Sequence, residues 1–301
     1  MRRQFKDTVT ALAHTDPRVL VLVGDISHFL FRDFQAAFPD RFYNLGICEN
    51  TIISVAAGLS SQGYIPFTHT IAPFLTERSY EQIKLDLCYN HHPANIVTCG
   101  SSFDYAWDGA THHCYTDLAI LRMLPHMEIV CPASERELDI LLRARYDSAV
   151  TTYFRLSDLP VQLDPALPIE FGKGIVLRQS ATATQTVVTS GTLVTVVLDA
   201  CRELDVNVIY LHTIKPIDAP LLHAFAHTQM VVAHDAWGLH EAVTAIDGIQ
   251  AWKIGLPDRF PDCYGKLENV RADMGLDASG IRSRLVALAT EAAAARSAVR
   301  T

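Results

Sequence analysis

The most constraining feature of this chain is the alternation of short apolar runs with stretches of helical periodicity. Six runs have the length and apolar character of strands: RVLVLVGD (18–25), RFYNLG (41–46), IPFTHTI (65–71), NIVTCGS (95–101), MEIVCP (127–132) and TTYFRL (151–156). Helical patterns at 75–90 and 134–147 lie between them, and the second begins with the capping-box pair Ser134 and Glu137. Because continuous apolar strands that alternate with helices are typical of a parallel sheet covered on both faces, we expect an α/β fold.

A proline-rich segment at 157–174 interrupts this alternation. It contains three prolines and lacks helical periodicity, and strand and helix patterns resume after it. We therefore predict two domains, residues 1–160 and 172–301, joined by a linker at 161–171. Each is expected to be a mostly parallel sheet flanked by helices, and residues 278–301 are expected to form a terminal helix.

Composition and charge limit the classes of partner. Hydrophobic residues make up 49% of the 301 residues and charged residues 19%, which predicts a large core. A net charge of −8 argues against nucleic acid or an anionic membrane as the main partner. No apolar run approaches the roughly 20 residues that span a bilayer, and the start of the chain lacks the apolar region of a signal peptide. The seven cysteines are scattered without a CxxC pair, so we expect reduced thiols, no structural zinc site and a cytoplasmic location.

Four segments follow predicted strands and contain groups capable of chemistry. They are GDISH (24–28), GICEN (46–50), HTIAPF (69–74) and DYAWDGATHH (104–113). Ligands of parallel α/β sheets bind outside the carboxyl ends of the strands, so we expect these four segments to lie close together.

Each of these groups also has an ordinary structural interpretation. Glu49 is placed to stabilise the first turn of a helix, and Phe74 is placed to pack in a core. Asp108, with the glycine that follows it, is a turn signal. His112 and His113 are adjacent on a loop and point apart, which disfavours a metal pair, and we predict no metal ligand in this chain.

Taken together, the segments resemble a known pattern. The arrangement GICEN … AAGLSSQGYIPFTHTIAPFL … DGATHH … LRMLPHMEIVCPAS, with the domain after it, is similar to the pyrimidine-binding and C-terminal domains of transketolase. The similarity runs from about residue 15 to about residue 245 and joins several separated motifs. It implies a C-terminal-section subunit of a split transketolase, which uses thiamine diphosphate and Mg²⁺ to transfer a two-carbon ketol unit from a ketose to an aldehyde.

Five residues are expected to contact the cofactor: Glu49, Phe74, Tyr80, Ile47 and Asp25. Glu49 matches the glutamate that hydrogen-bonds N1′ of the aminopyrimidine and activates the cofactor. Phe74 matches the aromatic ring that stacks on the pyrimidine, and Tyr80 is expected to form a wall of that pocket. Ile47 is an apolar neighbour of Glu49 and is expected to help keep its pocket dry. Glu77 stands where the large transketolases carry a second pocket phenylalanine.

The resemblance also assigns substrate contacts. Asp108 and His112 match the aspartate that selects a donor hydroxyl and the histidine that assists proton transfer at the reacting carbon. Asp25 matches a position near the thiazolium ring of the cofactor. His28 lies just beyond it and faces either the substrate or the surrounding protein.

Two features depart from transketolases that use sugar phosphates. The loop before Asp108 lacks their additional histidine, and Asp158 stands where they carry an arginine. Arg155 is three residues earlier, inside the strand pattern. The usual phosphate clamp is therefore expected to be absent or rebuilt, with an acceptor that is unphosphorylated, differently shaped or held by the partner chain.

The family's diphosphate-binding domain is missing from this sequence, since it contains no GDG run. The resemblance thus implies a separate N-terminal-section subunit that holds most of the Mg²⁺ and diphosphate contacts, in an α2β2 assembly that acts on sugars or sugar-like molecules. Two alternatives stay open at this point. One is a decarboxylating subunit, similar to deoxyxylulose-phosphate synthase or to the β subunit of a 2-oxo acid dehydrogenase. The other is a non-catalytic regulatory subunit.

Overall fold

The computed structural model describes residues 1–298 of the chain. The strands are β1 (Val19–Val23), β2 (Phe42–Asn44), β3 (Ile65–Ile71), β4 (Asn95–Cys99), β5 (Met127–Val130), β6 (Thr151–Arg155), β7 (Ile175–Arg178), β8 (Gln185–Ser190), β9 (Asn207–Leu211), β10 (Thr213–Lys215), β11 (Gln229–Ala233) and β12 (Ala251–Ile254). The α-helices are α1 (Arg2–Thr15), α2 (Arg32–Ala37), α3 (Glu49–Ser61), α4 (Ala72–Thr76), α5 (Tyr80–Gln82), α6 (Asp117–Arg122), α7 (Glu135–Arg145), α8 (Val194–Cys201), α9 (Ala219–Ala224), α10 (Leu239–Thr244), α11 (Leu267–Asp273) and α12 (Ala278–Ala298). The predicted terminal helix is thus present as α12, and residues 299–301 of that prediction lie outside the described residues. None of the helices within residues 1–298 is long and apolar enough to cross a membrane.

The strands form two sheets. Within the described residues, the first sheet has the order β10–β5–β6–β4–β3–β1–β2 and the second the order β12–β11–β8–β9–β7. Neighbouring strands run parallel except at two edges, where β10 pairs antiparallel with β5 and β7 pairs antiparallel with β9. The predicted α/β fold with two mostly parallel sheets is confirmed. The carboxyl ends of β1 to β4 meet at one edge of the first sheet, so the four segments singled out in the sequence follow neighbouring strands.

The strand β1 shows how the first sheet is covered on both faces. Leu20 and Leu22 belong to one apolar cluster with Ile53 of α3, whereas Val21 belongs to a second cluster with Phe5 of α1. Successive side chains of a strand point to opposite faces, so a continuous apolar run is what a sheet between two helix layers requires.

The segment that follows β9 returns to the first sheet. Thr213 pairs with Val130 and Lys215 pairs with Ile129, and the Cys131 N–H donates to the carbonyl oxygen of the residue before β10 at 2.8 Å. A strand from beyond residue 172 therefore completes the sheet formed by the first part of the chain. The division into residues 1–160, 161–171 and 172–301 stays a prediction.

The helix predicted over 75–90 is interrupted in the structure. The helix α4 ends at Thr76, α5 covers Tyr80–Gln82, and a π-helical segment follows over Ile83–Tyr89. The Thr76 hydroxyl donates to the Ala72 carbonyl oxygen at 2.7 Å, a local bond of the kind that bends helices. The break separates Phe74 from the helical turn at Tyr80.

A buried cation joins the two halves of the fold. Arg155 is 4% exposed and donates from Nε to Asp117 Oδ2 at 2.7 Å. Its Nη2 donates to Ser102 Oγ and to the Cys114 carbonyl oxygen, each at 2.9 Å. Ser102 Oγ donates in turn to Asp235 Oδ1, beyond β11, at 2.8 Å. The loop between β4 and α6 is thus held by groups from both halves.

We expect Arg155→Met to lower the free energy of unfolding by about 3–5 kcal/mol, because it leaves the Asp117 carboxylate buried without its countercharge. Urea denaturation followed by circular dichroism measures the change. The matched control is Arg202→Met, since Arg202 pairs with Asp199 on the surface and such pairs contribute about 0–1 kcal/mol. A midpoint for Arg155→Met equal to that of the unsubstituted protein would contradict this account of the buried pair.

Candidate active site

Glu49 is the first residue of α3 and is buried, with 1% of its surface exposed. A glutamate is almost never fully buried unless it is paired. Its Oε2 accepts a hydrogen bond from Arg78 Nη1 at 2.8 Å, while Oε1 is buried without a partner among the described residues. A buried oxygen without a partner costs folding free energy, so this arrangement favours a ligand contact over a plain helix-end charge.

The guanidinium of Arg78 links Glu49 to an aromatic face. Its central carbon lies 4.5 Å from the centroid of the Phe74 ring, and that ring is in edge contact with His112 at 5.1 Å between centroids. The Arg78 side chain is 46% exposed. A planar group with N–H donors therefore already lies on Phe74 and donates to Glu49. A flat heteroaromatic ring fits the same position, stacked on Phe74 with a nitrogen towards Glu49.

Asp108 and His112 lie on the loop between β4 and α6, on either side of a short 3₁₀ turn. His112 contacts Phe74, and Asp108 is exposed. Gly109 follows Asp108 with φ of +72°, and a Cβ there would collide with the ring of Tyr264. Glycine is therefore required for this turn and for the close packing of the C-terminal part of the chain against it.

Asp25 and His28 lie in the loop after β1. The Asp25 N–H donates to Asn44 Oδ1 at 3.1 Å, and Asn44 Nδ2 donates to Asp25 Oδ1 at 3.2 Å. His28 Nδ1 lies 2.6 Å from the Asp25 carbonyl oxygen. These contacts fix Asp25 beside the end of β2, and the proposed roles of both residues stay predictions.

Ile47 and Tyr80 differ in how far they contribute to a pocket in this chain. The sequence predicts that Ile47 helps to keep the pocket of Glu49 dry, but its side chain lies in solvent, with 70% of its surface exposed. It precedes α3 in a turn that follows β2, the edge strand of the sheet. Tyr80 is partly buried against the apolar cluster that contains Ile52 and Ile53. Both assignments stay predictions.

The position at which transketolases that use sugar phosphates carry an arginine is built differently in this chain. Arg155 points into the interior, where Asp117 holds its pKa well above the usual range. Asp158 pairs with Arg2 at 3.1 Å and accepts a hydrogen bond from the Tyr105 hydroxyl. Arg155 is already paired with Asp117, and Asp158 is itself acidic, so neither residue supplies a free positive charge for a phosphate at this point of the site. Among the described residues, no group of three or more His, Cys, Asp or Glu side chains is arranged to hold a metal ion.

His69 lies beside the candidate site and was not predicted from the sequence, although it belongs to HTIAPF (69–74). It is fully buried near the carboxyl end of β3, with Nδ1 2.8 Å from the Val97 carbonyl oxygen and Nε2 3.0 Å from Ser27 Oγ. Burial lowers the pKa of His69 to about 4. A neutral His69 therefore anchors the loop that carries Asp25 and His28. The position of His69 near the end of a predicted strand was the sequence feature that could have indicated this contact.

Comparison with known proteins defines the class of this fold and site. Residues 1–160 match the family described as transketolase, pyrimidine binding domain. The 1-deoxy-D-xylulose-5-phosphate synthase 2 of Geobacter sulfurreducens is 31% identical over 302 residues, which cover 93% of this chain and 48% of the synthase. An uncharacterized 33.6 kDa protein in the fasciation locus of Rhodococcoides fascians is 32% identical over 222 residues, covering 71% of this chain and 68% of that protein. The chain belongs to the transketolase pyrimidine-binding-domain family, whose cofactor is thiamine diphosphate with a divalent metal.

Solved structures of the same fold superpose on this chain. A split-gene transketolase, described as an inactive β4 tetramer, superposes with a TM-score of 0.80 at 28% identity and covers 94% of this chain and 95% of its own. The transketolase of Leishmania mexicana superposes with a TM-score of 0.81 at 19% identity and covers 96% of this chain but 45% of its own. The predicted resemblance to a transketolase C-terminal section is confirmed. The chain spans about half of the length of the deoxyxylulose-phosphate synthases that it matches.

We expect His69 to make the fold sensitive to acid. Its ordinary pKa is 6.5, and burial lowers the pKa in the folded state to about 4, so between these values the unfolded chain binds more protons. The free energy of unfolding then falls as the pH falls. In His69→Gln, the loss between pH 7 and pH 4.5 should be smaller by roughly 2–3 kcal/mol.

Urea titrations at a series of pH values measure this difference, and comparison with the unsubstituted protein cancels the other titrating groups. The matched control is Asn90→Gln, an exposed position without a titratable side chain, which should keep the original pH dependence. Equal pH dependence in His69→Gln and the unsubstituted protein would show that His69 is not the titrating group.

Proposed function

We propose that this chain is one subunit of a thiamine-diphosphate-dependent transferase. The enzyme would move a two-carbon ketol unit from a ketose donor to an aldehyde acceptor, together with a separate diphosphate-binding subunit. The observation that carries the proposal is the buried Glu49 carboxylate, whose unpartnered Oε1 lies at the start of α3, while its Oε2 is linked through Arg78 to the Phe74 ring. Membership of the pyrimidine-binding-domain family supports the class of cofactor.

The residues around Glu49 fit an aminopyrimidine ring. Phe74 would carry the ring on its face, and Glu49 would hold a proton shared with N1′ of the ring. Burial of Glu49 keeps water from competing for that proton. When bound, thiamine diphosphate supplies a nucleophilic carbon that attacks carbonyl groups. Arg78 must first leave the Phe74 face. Its side chain is 46% exposed and can move into solvent, while the ring nitrogen would replace it as the partner of the buried Glu49 carboxylate.

Other residues of the chain would orient the substrate. His112, in edge contact with Phe74, would hydrogen-bond the oxygen at the reacting carbon and assist proton transfer. Asp108 would accept a hydrogen bond from a hydroxyl of the donor sugar. Asp25 would lie near the thiazolium ring, with His28 beside it.

The remainder of the site is assigned to a second polypeptide. The chain has no GDG run and spans about half of the length of the synthases that it matches. One structural match, a split-gene transketolase, is described as an inactive β4 tetramer, which supports a subunit that needs a partner. We infer that an N-terminal-section subunit holds the diphosphate and most of the Mg²⁺ contacts in an α2β2 assembly.

A decarboxylating reaction is the second candidate, because deoxyxylulose-phosphate synthases are 31% identical to this chain. Such a subunit would act on a 2-oxo acid and release CO2 instead of cleaving a ketose. The assembled enzyme incubated with an aldehyde acceptor and either pyruvate or a ketose as the donor distinguishes the two reactions. Release of CO2 from pyruvate would support the synthase-like reaction, and cleavage of the ketose would support ketol transfer.

We expect Glu49→Gln to lower the turnover of the assembled enzyme by roughly 100-fold or more. Glutamine keeps the size of the side chain but cannot share a proton with N1′. The matched control is Glu135→Gln, which removes a carboxylate at the first position of α7 where the side chain is exposed, and it should keep full turnover. Turnover of Glu49→Gln within about tenfold of the unsubstituted enzyme would refute the role of Glu49.

We expect thiamine diphosphate with Mg²⁺ to bind only when both subunits are present. Isothermal titration calorimetry of the cofactor into this chain alone, and then into its mixture with a diphosphate-binding subunit of a split transketolase, measures the difference. Heat of binding in the mixture alone supports the shared site. Tight binding to this chain alone would show that the half-site assignment is wrong.

A further inference from the structure

A cavity separate from the candidate active site lies on the other side of the loop that carries His112. It has a volume of about 460 Å³ and separates this loop from the segment that follows β12. Its aromatic walls are Phe103, Tyr115, Trp237 and Phe260. Cavities of this size lined by aromatic groups and a few polar atoms are typical of small-molecule sites. We refer to it below as the His113 cavity.

The polar group at its wall is His113, which is 4% exposed. Neither of its ring nitrogens has a hydrogen-bond partner among the described residues. Its ring stands edge-on to Phe103 at 5.0 Å between centroids, which fixes its orientation. A neutral imidazole has one N–H donor and one nitrogen acceptor, and buried polar atoms are ordinarily satisfied. The N–H donor and the acceptor nitrogen of His113 are therefore both available to a molecule that enters the cavity.

The charges around the cavity define what can enter. Burial lowers the pKa of His113, so its ring is neutral at pH 7. Arg259 donates to Asp273 at 2.9 Å and to Asp262 at 3.1 Å, so its charge is already neutralised. Glu77 accepts a hydrogen bond from the Thr116 hydroxyl at the opposite wall. A phosphate or carboxylate ligand would thus meet neutral and acidic groups, Glu77 and Asp258 among them, so the lining disfavours an anionic ligand.

We propose that the His113 cavity binds a small, planar aromatic heterocycle without a negative charge that carries both a donor and an acceptor nitrogen. Its ring packs against the aromatic walls, and His113 is its polar anchor. This site is separate from the cofactor residues, because His112 faces Phe74 whereas the adjacent His113 faces the cavity. The proposal does not depend on the reaction that the enzyme catalyses.

Fluorine NMR of the full chain labelled with 5-fluorotryptophan tests the proposal. The chain has three tryptophans, of which Trp237 lines the cavity whereas Trp107 and Trp252 lie elsewhere. The probes are indazole, indole and indene, which share one shape. Indazole carries a donor and an acceptor nitrogen, indole carries a donor alone, and indene carries neither. We expect indazole to shift the Trp237 signal selectively and to bind about tenfold more tightly than indene.

Substitutions at the two adjacent histidines provide the matched comparison. His113→Phe should weaken indazole binding about tenfold and leave indene binding unchanged, whereas His113→Gln should keep the preference because glutamine both donates and accepts. His112→Phe should leave the binding of all three probes unchanged. The proposal is overturned by equal affinities for the three probes, by the absence of a Trp237 shift, or by an equal loss in His112→Phe.

Discussion

The buried charge of Arg155 is the constraint on which both sheets depend. In the low dielectric of the interior its hydrogen bonds are strong, and the penalty for losing any partner is large. Asp117 supplies the countercharge, and Ser102 relays the contact to Asp235 from the second half of the chain. The loop that carries Asp108 and His112 is therefore held at its base by a network that forms only when both halves are folded together.

The sequence predicted the parts of the structure that follow from periodicity and from strand order. Continuous apolar runs indicated a parallel sheet, and parallel strands bring their carboxyl ends to one edge. The sequence alone therefore predicted that Glu49, Phe74 and His112 lie near one another. The capping pattern at Ser134 also predicted the start of α7 correctly, because the Glu137 N–H donates to the Ser134 hydroxyl at 3.2 Å. These features are local, or they depend on a rule that holds for the whole fold class.

Features that depend on contacts distant in sequence could not be predicted in this way. The contact of Arg78 with Glu49 and Phe74 joins residues on separate elements. The cavity at His113 exists because the segment after β12 packs near a loop from the other half of the chain. Composition and spacing contain no direct information about such pairings.

The transfer of β10 into the first sheet has a consequence for synthesis of the protein on the ribosome. Until residues 213–215 have left the exit tunnel, β5 is an open edge with unpaired backbone groups, although the rest of its sheet has already been made. Open edges of this kind are templates for aggregation. The nascent chain thus carries an exposed β edge while residues 156–215 are made, an interval in which chaperone binding has a physical target.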